Sequence, residues 1–331
     1  MTIRVEVTRG DIVESAHRVA ACAANRDGNV IFATGAIDTP VYLRSTAKPF
    51  IAAAAVREGA VERFGLEKHE VALMAASHNG EPFHVAAVRS MLRKIGVSES
   101  ALACGPHAPY DQPSAEALVR DGVEFAPIHN NCSGKHAGIL ALCKLLGADV
   151  ATYREPNHPA QRRILELCAR ACGLSIEHLL LGIDGCGIPV FAVPLRNAAL
   201  AFARFATLDN LDECDALALA TVRDAMIAFP EYVAGTDEFD SALMRAAGGR
   251  IAAKSGAEGV HGLADIDSGT GLVLKVVDGA ARACAPAVVA IARLLHLLDE
   301  RVLDELEPFA RVPLYSRAGR RVGSIQPLAP A

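Results

Sequence analysis

The 331-residue chain has no tryptophan and only 5% aromatic residues, too few for the stacking platforms on which single-stranded nucleic acids lie. Lysine is scarce as well, seven against twenty-six arginines, and the arginines are scattered in a chain of net charge −5. No basic footprint for nucleic acid or for an anionic membrane surface results. No apolar run approaches the roughly eighteen residues of a spanning helix, and residues 1–14 alternate polar with apolar and lack an apolar signal core. Neither a Walker loop nor Gly-x-Gly-x-x-Gly occurs, so nucleotide binding has no positive signal. The nine cysteines are odd in number and irregular in spacing, and they read as thiols in a reducing cytoplasm.

What remains is a chain with 51% hydrophobic residues, enough for one large domain or two lobes with a substantial core. Strands are predicted at 4–9 and 30–34, split by the turn signal Asn25-Arg26-Asp27-Gly28. A helix is predicted at 48–58 with Pro49 in its first turn, and another from Glu81-Pro82 to residue 94, stopped by Gly96. Helices at 134–146 and 159–172 end at Gly147 and Gly173. Residues 179–183 read as a buried strand entering the turn Asp184-Gly185-Cys186-Gly187. A helix at 211–229, strands at 250–254 and 271–277 and an alanine-rich helix at 283–298 complete the pattern. Strands and helices mix without strict alternation, which predicts an α+β fold.

The few lysines stand where chemistry needs an amine. Ser45-Thr46-Ala47-Lys48, then Ser77-His78-Asn79, then Lys254-Ser255-Gly256 reproduce the ordered triplet of serine acyl-transferases that use lysine as base. All three in order should occur in fewer than about one random chain in a hundred. Ser45 and Lys48, three apart, share a face on a helical turn. A serine hydroxyl needs a base during attack, and a lysine serves only if burial or a neighbouring cation lowers its pKa. Lys254 near Lys48 would supply that like charge, Ser77 would relay a proton between the amines, and amides near Ser45 would form part of an oxyanion hole. The bland alternative makes Ser45 an N-cap and Lys48 a solvated residue.

A second constellation is Cys132-Ser133-Gly134-Lys135-His136, with Cys186 in its glycine-flanked turn. Two thiolates fixed by tight turns can share Zn²⁺ with His129, His136 or a neutral Lys135 as third ligand. Spacing alone favours the plainer reading, two buried cysteines acting as small apolar residues. Cys168 and Cys172, on one helical face, read as packing.

Taken together, Leu43 to Pro49, Ala76 to Gly80, His129 to His136, Asp184 to Gly187 and Lys254 to Gly259 resemble the rhizobial-type (class 3) L-asparaginases, over blocks that span most of the chain. The resemblance implies a fold like that of serine β-lactamases and glutaminases: an antiparallel sheet with flanking helices, plus a helical lobe. It implies a single catalytic unit over 1–331 with the active site between two lobes. It further implies the tandems Ser45–Lys48 and Ser77–Lys254 with Ser45 as nucleophile, and Zn²⁺ on Cys132, Lys135 and Cys186 that assists substrate binding rather than activating water. Arg44, Asn79, His136 and Asp184 become candidates for substrate contact. The implied protein is a cytoplasmic homodimer that converts L-asparagine to aspartate and ammonia, with no nucleic-acid or membrane partner. A glutaminase or other serine amidase of this fold, or a non-catalytic protein that binds zinc or an amino acid, are the alternatives.

Overall fold

The computed structural model describes residues 3–328; Met1, Thr2 and residues 329–331 of the expected 1–331 unit lie outside the described residues. The strands run in chain order as β1 (Ile3–Arg9), β2 (Ile12–Ala24), β3 (Val30–Thr34), β4 (Pro40–Tyr42), β5 (Leu180–Ile183) and β6 (Pro189–Pro194). They continue as β7 (Ile251–Gly256), β8 (Val260–Asp265), β9 (Thr270–Val276), β10 (Val312–Tyr315) and β11 (Arg321–Pro327). The chain divides into two compact units. One comprises the described parts of Met1–Thr46, Val193–Thr207 and Ala242–Ala331, and the other Ala47–Ala192 with Leu208–Ser241.

The first unit is built on an eight-stranded sheet of order β10-β11-β1-β2-β9-β8-β7, with β3 paired to β2. Its pairings are antiparallel. In β1 the residues Ile3, Val5 and Val7 share one buried face, while on the other face Arg4 is exposed and Glu6 is buried. The thirteen-residue β2 is long enough to serve two neighbours on one side. Residues 12–19 pair with β1 and residues 21–24 with β3, while Val19 to Ala24 meet β9 on the other side. Strand β8 is buried at every position and β9 at all but one, so helices cover both faces. Helix Leu195–Thr207 lies close on this sheet because Gly271 has no side chain: a Cβ there would stand 2.1 Å from the Ala199 carbonyl oxygen. Helix Cys284–Leu294 also packs on the sheet. It is shorter than the predicted 283–298, the chain turning at His296 with a positive φ of 54° before a new helix, Glu300–Glu305, capped by Asp299.

The second unit is mainly helical. Helix Lys48–Arg57 is buried from Lys48 through Ala55, the pattern of a helix enclosed on every side. It packs against Ser133–Leu145, Pro159–Ala171 and Glu213–Ala228. The apolar residues 71–74 before Ser77 belong to a helix, Lys68–Met74, whose N-terminus carries a reciprocal capping box between Glu67 and Glu70. Strands β5 and β6 pair antiparallel from Leu180↔Ala192 to Ile183↔Pro189. The expected burial of β5 does not hold: Leu180, Leu181 and Ile183 are exposed, because β5 has a paired neighbour but no packed layer over these side chains.

Candidate active site

In the helical unit four segments converge. Helix Lys48–Arg57 begins with Lys48 rather than after Ser45, which lies one turn earlier in the 3₁₀ helix Arg44–Ala47. Ala47, not Ser45, holds the N-cap position. The Lys48 side chain is 1% exposed, and its Nζ donates to the Ala76 carbonyl at 2.6 Å and to Ser77 Oγ at 2.8 Å. This joins the lysine of the first motif to the serine of the second.

Ser77 and Asn79 are held through their backbones, which donate to the carbonyls of Val233 (2.9 Å) and Ala234 (2.8 Å). The next residue, Gly235, has a φ of +150°, and a Cβ on it would lie 2.2 Å from Asn79 Nδ2. Only glycine lets this segment run past the Asn79 amide. Asn79 Oδ1 is buried without a hydrogen-bond partner.

Helix Ser133–Leu145 presses against Lys68–Met74 through Gly134, where a Cβ would stand 2.3 Å from the Leu73 carbonyl oxygen. The close approach brings Cys132 and Lys135 to the Lys48–Ser77 pair. Asn130 fixes Cys132 from the other side: its Oδ1 accepts from Cys132 N at 2.9 Å, and its Nδ2 donates to the carbonyls of Cys104 and Gly105 at 3.1 Å each. The turn between β5 and β6 contributes Cys186, whose Sγ accepts from Lys135 Nζ at 2.8 Å. Asp184 shapes that turn by accepting the Gly185 and Gly187 amides, and its Oδ2 stands 3.9 Å from Cys186 Sγ.

The charges follow from these contacts. Burial lowers the Lys48 pKa, the Cys132 sulfur opposes that shift, and Lys135 adds to it. Within the helical unit, Lys135 therefore supplies a like charge beside Lys48. The thiol hydrogen bond with Cys186 holds Cys132 well below the usual thiol range, with Lys135 and Lys48 assisting against burial. The same bond and burial push Cys186 up. The two thiols are therefore coupled, and the nearby lysines favour a thiolate within the pair. Burial disfavours the Lys135 ammonium, but the two sulfurs outweigh it and raise its pKa.

His136 is fully buried, and its Nδ1 lies 2.6 Å from the Tyr153 hydroxyl. Tyr153 accepts from the Ala103 amide at 2.9 Å. Burial, Lys135 and Lys48 hold the imidazole neutral. Its Nε2 is buried without a partner, an unsatisfied polar atom of the kind that costs a fold about 1–3 kcal/mol.

The other predicted residues belong to the sheet unit. Ser45 is half-buried, and Arg44 before it adopts a left-handed conformation with φ 52°. Lys254 in β7 is completely buried and donates to the Ser255 carbonyl at 2.7 Å. The end of β7 abuts the Ser45 turn: a Cβ on Gly256 would lie 2.6 Å from Thr46 Oγ1 and 3.0 Å from the Leu43 carbonyl. The Thr46 amide donates to that same carbonyl at 3.0 Å. This amide of the turn is therefore engaged and does not serve the oxyanion hole expected near Ser45. Sequence reasoning missed Asn130, Tyr153 and Gly235. Asn130 was legible only as part of the Asn130-Asn131-Cys132 run, and the other two carry no local signal.

Among the described residues no group of three or more His, Cys, Asp or Glu side chains is arranged to hold a metal ion. The sulfurs of Cys132 and Cys186 with the Lys135 amine are nevertheless a convergent set of two S donors and one N donor, the type that suits zinc. Three protein ligands would leave a fourth position open, provided that Lys135 and Cys186 give up their protons. The donor set fits the ion.

A buried amine on a serine hydroxyl is an arrangement suited to nucleophilic acyl transfer. The chain belongs to the L-asparaginase II family, which it matches over residues 5–327. No curated relative matches it. Among solved structures it is similar to a β-lactamase from Mycobacterium bovis, with 16% identity, 88% of this chain and 92% of that one covered, and a TM-score of 0.41. It is also similar to simvastatin synthase from Aspergillus terreus (12%, 87% and 90%, TM-score 0.40) and to a protein named Mglu (18%, 85% and 62%, TM-score 0.38).

Proposed function

We propose that this chain is an L-asparagine amidohydrolase working through a serine acyl-enzyme. Ser45 Oγ attacks the side-chain amide carbon, and Lys48 takes the hydroxyl proton. The observation that carries the reading is the buried Lys48 amine on Ser77. In its charged form the amine donates to Ser77 Oγ, and through that contact it returns the proton by way of Ser77 to the leaving nitrogen. The C–N bond breaks, ammonia departs, and water hydrolyses the ester to aspartate and free serine. Lys254 is the second amine of the mechanism.

The unpartnered buried atoms Asn79 Oδ1 and His136 Nε2 are available to polar groups of the substrate, and Arg44 and Asp184 complement the charged ends of an amino acid. Cys132, Lys135 and Cys186 would hold Zn²⁺, which when bound supplies a positive charge that favours substrate binding. The nine free cysteines support a reducing, cytoplasmic setting, and a homodimer is the proposed assembly. No helix among the described residues is long and apolar enough to cross a membrane.

The test is ammonia release from L-asparagine and L-glutamine by wild type, Ser45→Ala and Ser77→Ala. Release from asparagine that falls by at least about 10³-fold in Ser45→Ala is expected. The Lys48–Ser77 bond favours one second reading, in which Ser77 is the nucleophile. Full activity of Ser45→Ala with an inactive Ser77→Ala would establish it. No release by folded, zinc-loaded wild type would leave a glutaminase, another amidase or a binding protein, and the glutamine arm separates the first of these.

A further inference from the structure

We propose that His78 is a positioning residue that fixes the Ser77 turn against the Cys132–Lys135 segment. The inference rests on the Ser–Lys reading of the site. His78 is the middle residue of Ser77-His78-Asn79, and it is fully buried. The backbone amides on either side of it hang on Val233 and Ala234. Its Nε2 is 2.9 Å from Ser133 Oγ, and Ser133 opens the helix that carries Lys135, directly after Cys132.

The ring is also stacked on His84, with centroids 4.9 Å apart and planes 17° from parallel. His84 Nε2 in turn donates to the Glu231 carbonyl at 2.8 Å. Glu231 lies in helix Pro230–Val233, which leads straight into the carbonyls that hold Ser77 and Asn79. The contacts therefore close a ring: turn to His78, His78 to His84, His84 to Glu231, and Val233 back to the turn. Ser133 is the branch by which His78 leaves this ring toward the thiols. A phenyl group at position 78 would fill the stack but leave the buried Ser133 hydroxyl without this partner. A glutamine places its Nε2 close to that of histidine and keeps the bond. Burial, with His84 and Lys48 adding to it, keeps His78 neutral, so the joint adds no charge beside Lys48.

The experiment compares the zinc-supplemented full chain with His78→Phe, His78→Gln, Ser133→Ala and the double variant His78→Phe/Ser133→Ala. In His78→Phe and Ser133→Ala, kcat on asparagine falls about 10–100-fold, while KM stays within about threefold. Zinc affinity, read by competition with a chromogenic chelator, falls in His78→Phe. His78→Gln recovers most of both quantities, and the double variant is no worse than His78→Phe, since both changes break one bond. Wild-type kcat in His78→Phe, or a His78→Gln as impaired as His78→Phe at equal melting temperature, overturns the assignment. If His78→Phe does not fold, Ser133→Ala removes only an oxygen atom and decides the question. A wild type that releases no ammonia sinks the Ser–Lys reading instead, and the relative zinc affinities of the variants then decide the role of His78.

Discussion

Replacing Lys48 by methionine separates the cost of burying the amine from the bonds it makes. The side chains are close in length, and residue 48 is enclosed in its helix, so the exchange conserves packing. Two effects on stability oppose each other. Losing the donor leaves the Ala76 carbonyl and Ser77 Oγ unpaired, at about 1–3 kcal/mol; removing a buried amine relieves its desolvation. Their sum at one pH has no fixed sign, but their pH dependence does. The hydrogen-bond loss does not vary with pH. The Lys48 pKa is lowered in the folded protein, while an unfolded lysine titrates near about 10.4. Between those two values the unfolded chain holds one proton more, so wild-type stability climbs with pH by up to about 1.4 kcal/mol per unit. Lys48→Met lacks that climb. The assay is urea unfolding at pH 8, 9 and 10 in chelator and reductant, with both proteins carrying Cys132→Ser and Cys186→Ser so that the neighbouring thiols do not titrate. The difference, wild type minus variant, should rise with pH. A difference constant to within about 0.3 kcal/mol would refute a lowered lysine. In the native background ammonia release by Lys48→Met should drop by about 10²–10⁴-fold, the usual contribution of a general base.

Gly134→Ala drives a Cβ to 2.3 Å from the Leu73 carbonyl, and its urea midpoint should fall by the equivalent of about 1–3 kcal/mol of overpacking. An unchanged midpoint would mean that the helix contact is looser than described. Asp215 is 1% exposed and bonded to Arg57 Nε (2.6 Å) and Arg170 Nε (2.6 Å), so Asp215→Asn should destabilise by about 3 kcal/mol at neutral pH. Although burial opposes them, the two arginines lower the Asp215 pKa. The wild-type advantage is therefore complete above the ordinary aspartate pKa and disappears as pH falls through the lowered folded one, a trend that acid unfolding of both proteins measures. Cys186→Ser should weaken zinc binding more than about tenfold in chelator competition, and equal affinity would remove Cys186 from the ligand set.

The sequence was most legible where the chemistry is local. Lys48 three residues after Ser45, the glycine-flanked Cys186 and the Cys132-x-x-Lys135 spacing all mark segments that the fold uses. The helices at 48–57, 133–145 and 159–171 were also visible, because proline starts or glycine stops bound them. Less legible was anything decided by a distant neighbour. The long β2 looked like the end of a polar alternation, since its first residues are exposed and its core half is mostly alanine. Strand β8 went unseen because Gly262, which admits the Phe202 ring, reads locally as a strand breaker, and helix Leu195–Thr207 went unseen because no glycine stop closes it. The Lys48–Ser77 bond spans 29 residues, and the pairing of Lys135 with Cys186 spans 51. Spacing alone could not distinguish these from two unrelated lysines.

The pairing of β1 with β11 sets Val5 opposite Pro327, and this has a consequence for biosynthesis. On the ribosome the sheet unit waits for nearly the whole chain before its centre can zip, whereas the helical unit has all its segments once residue 241 has emerged. The helical unit can therefore fold during translation, while strands β1 and β2 remain without their later partners. Closing so long a loop makes the sheet the slow step. Until it closes, the exposed strand edges, and not the finished enzyme, are the part of this protein most in need of a chaperone.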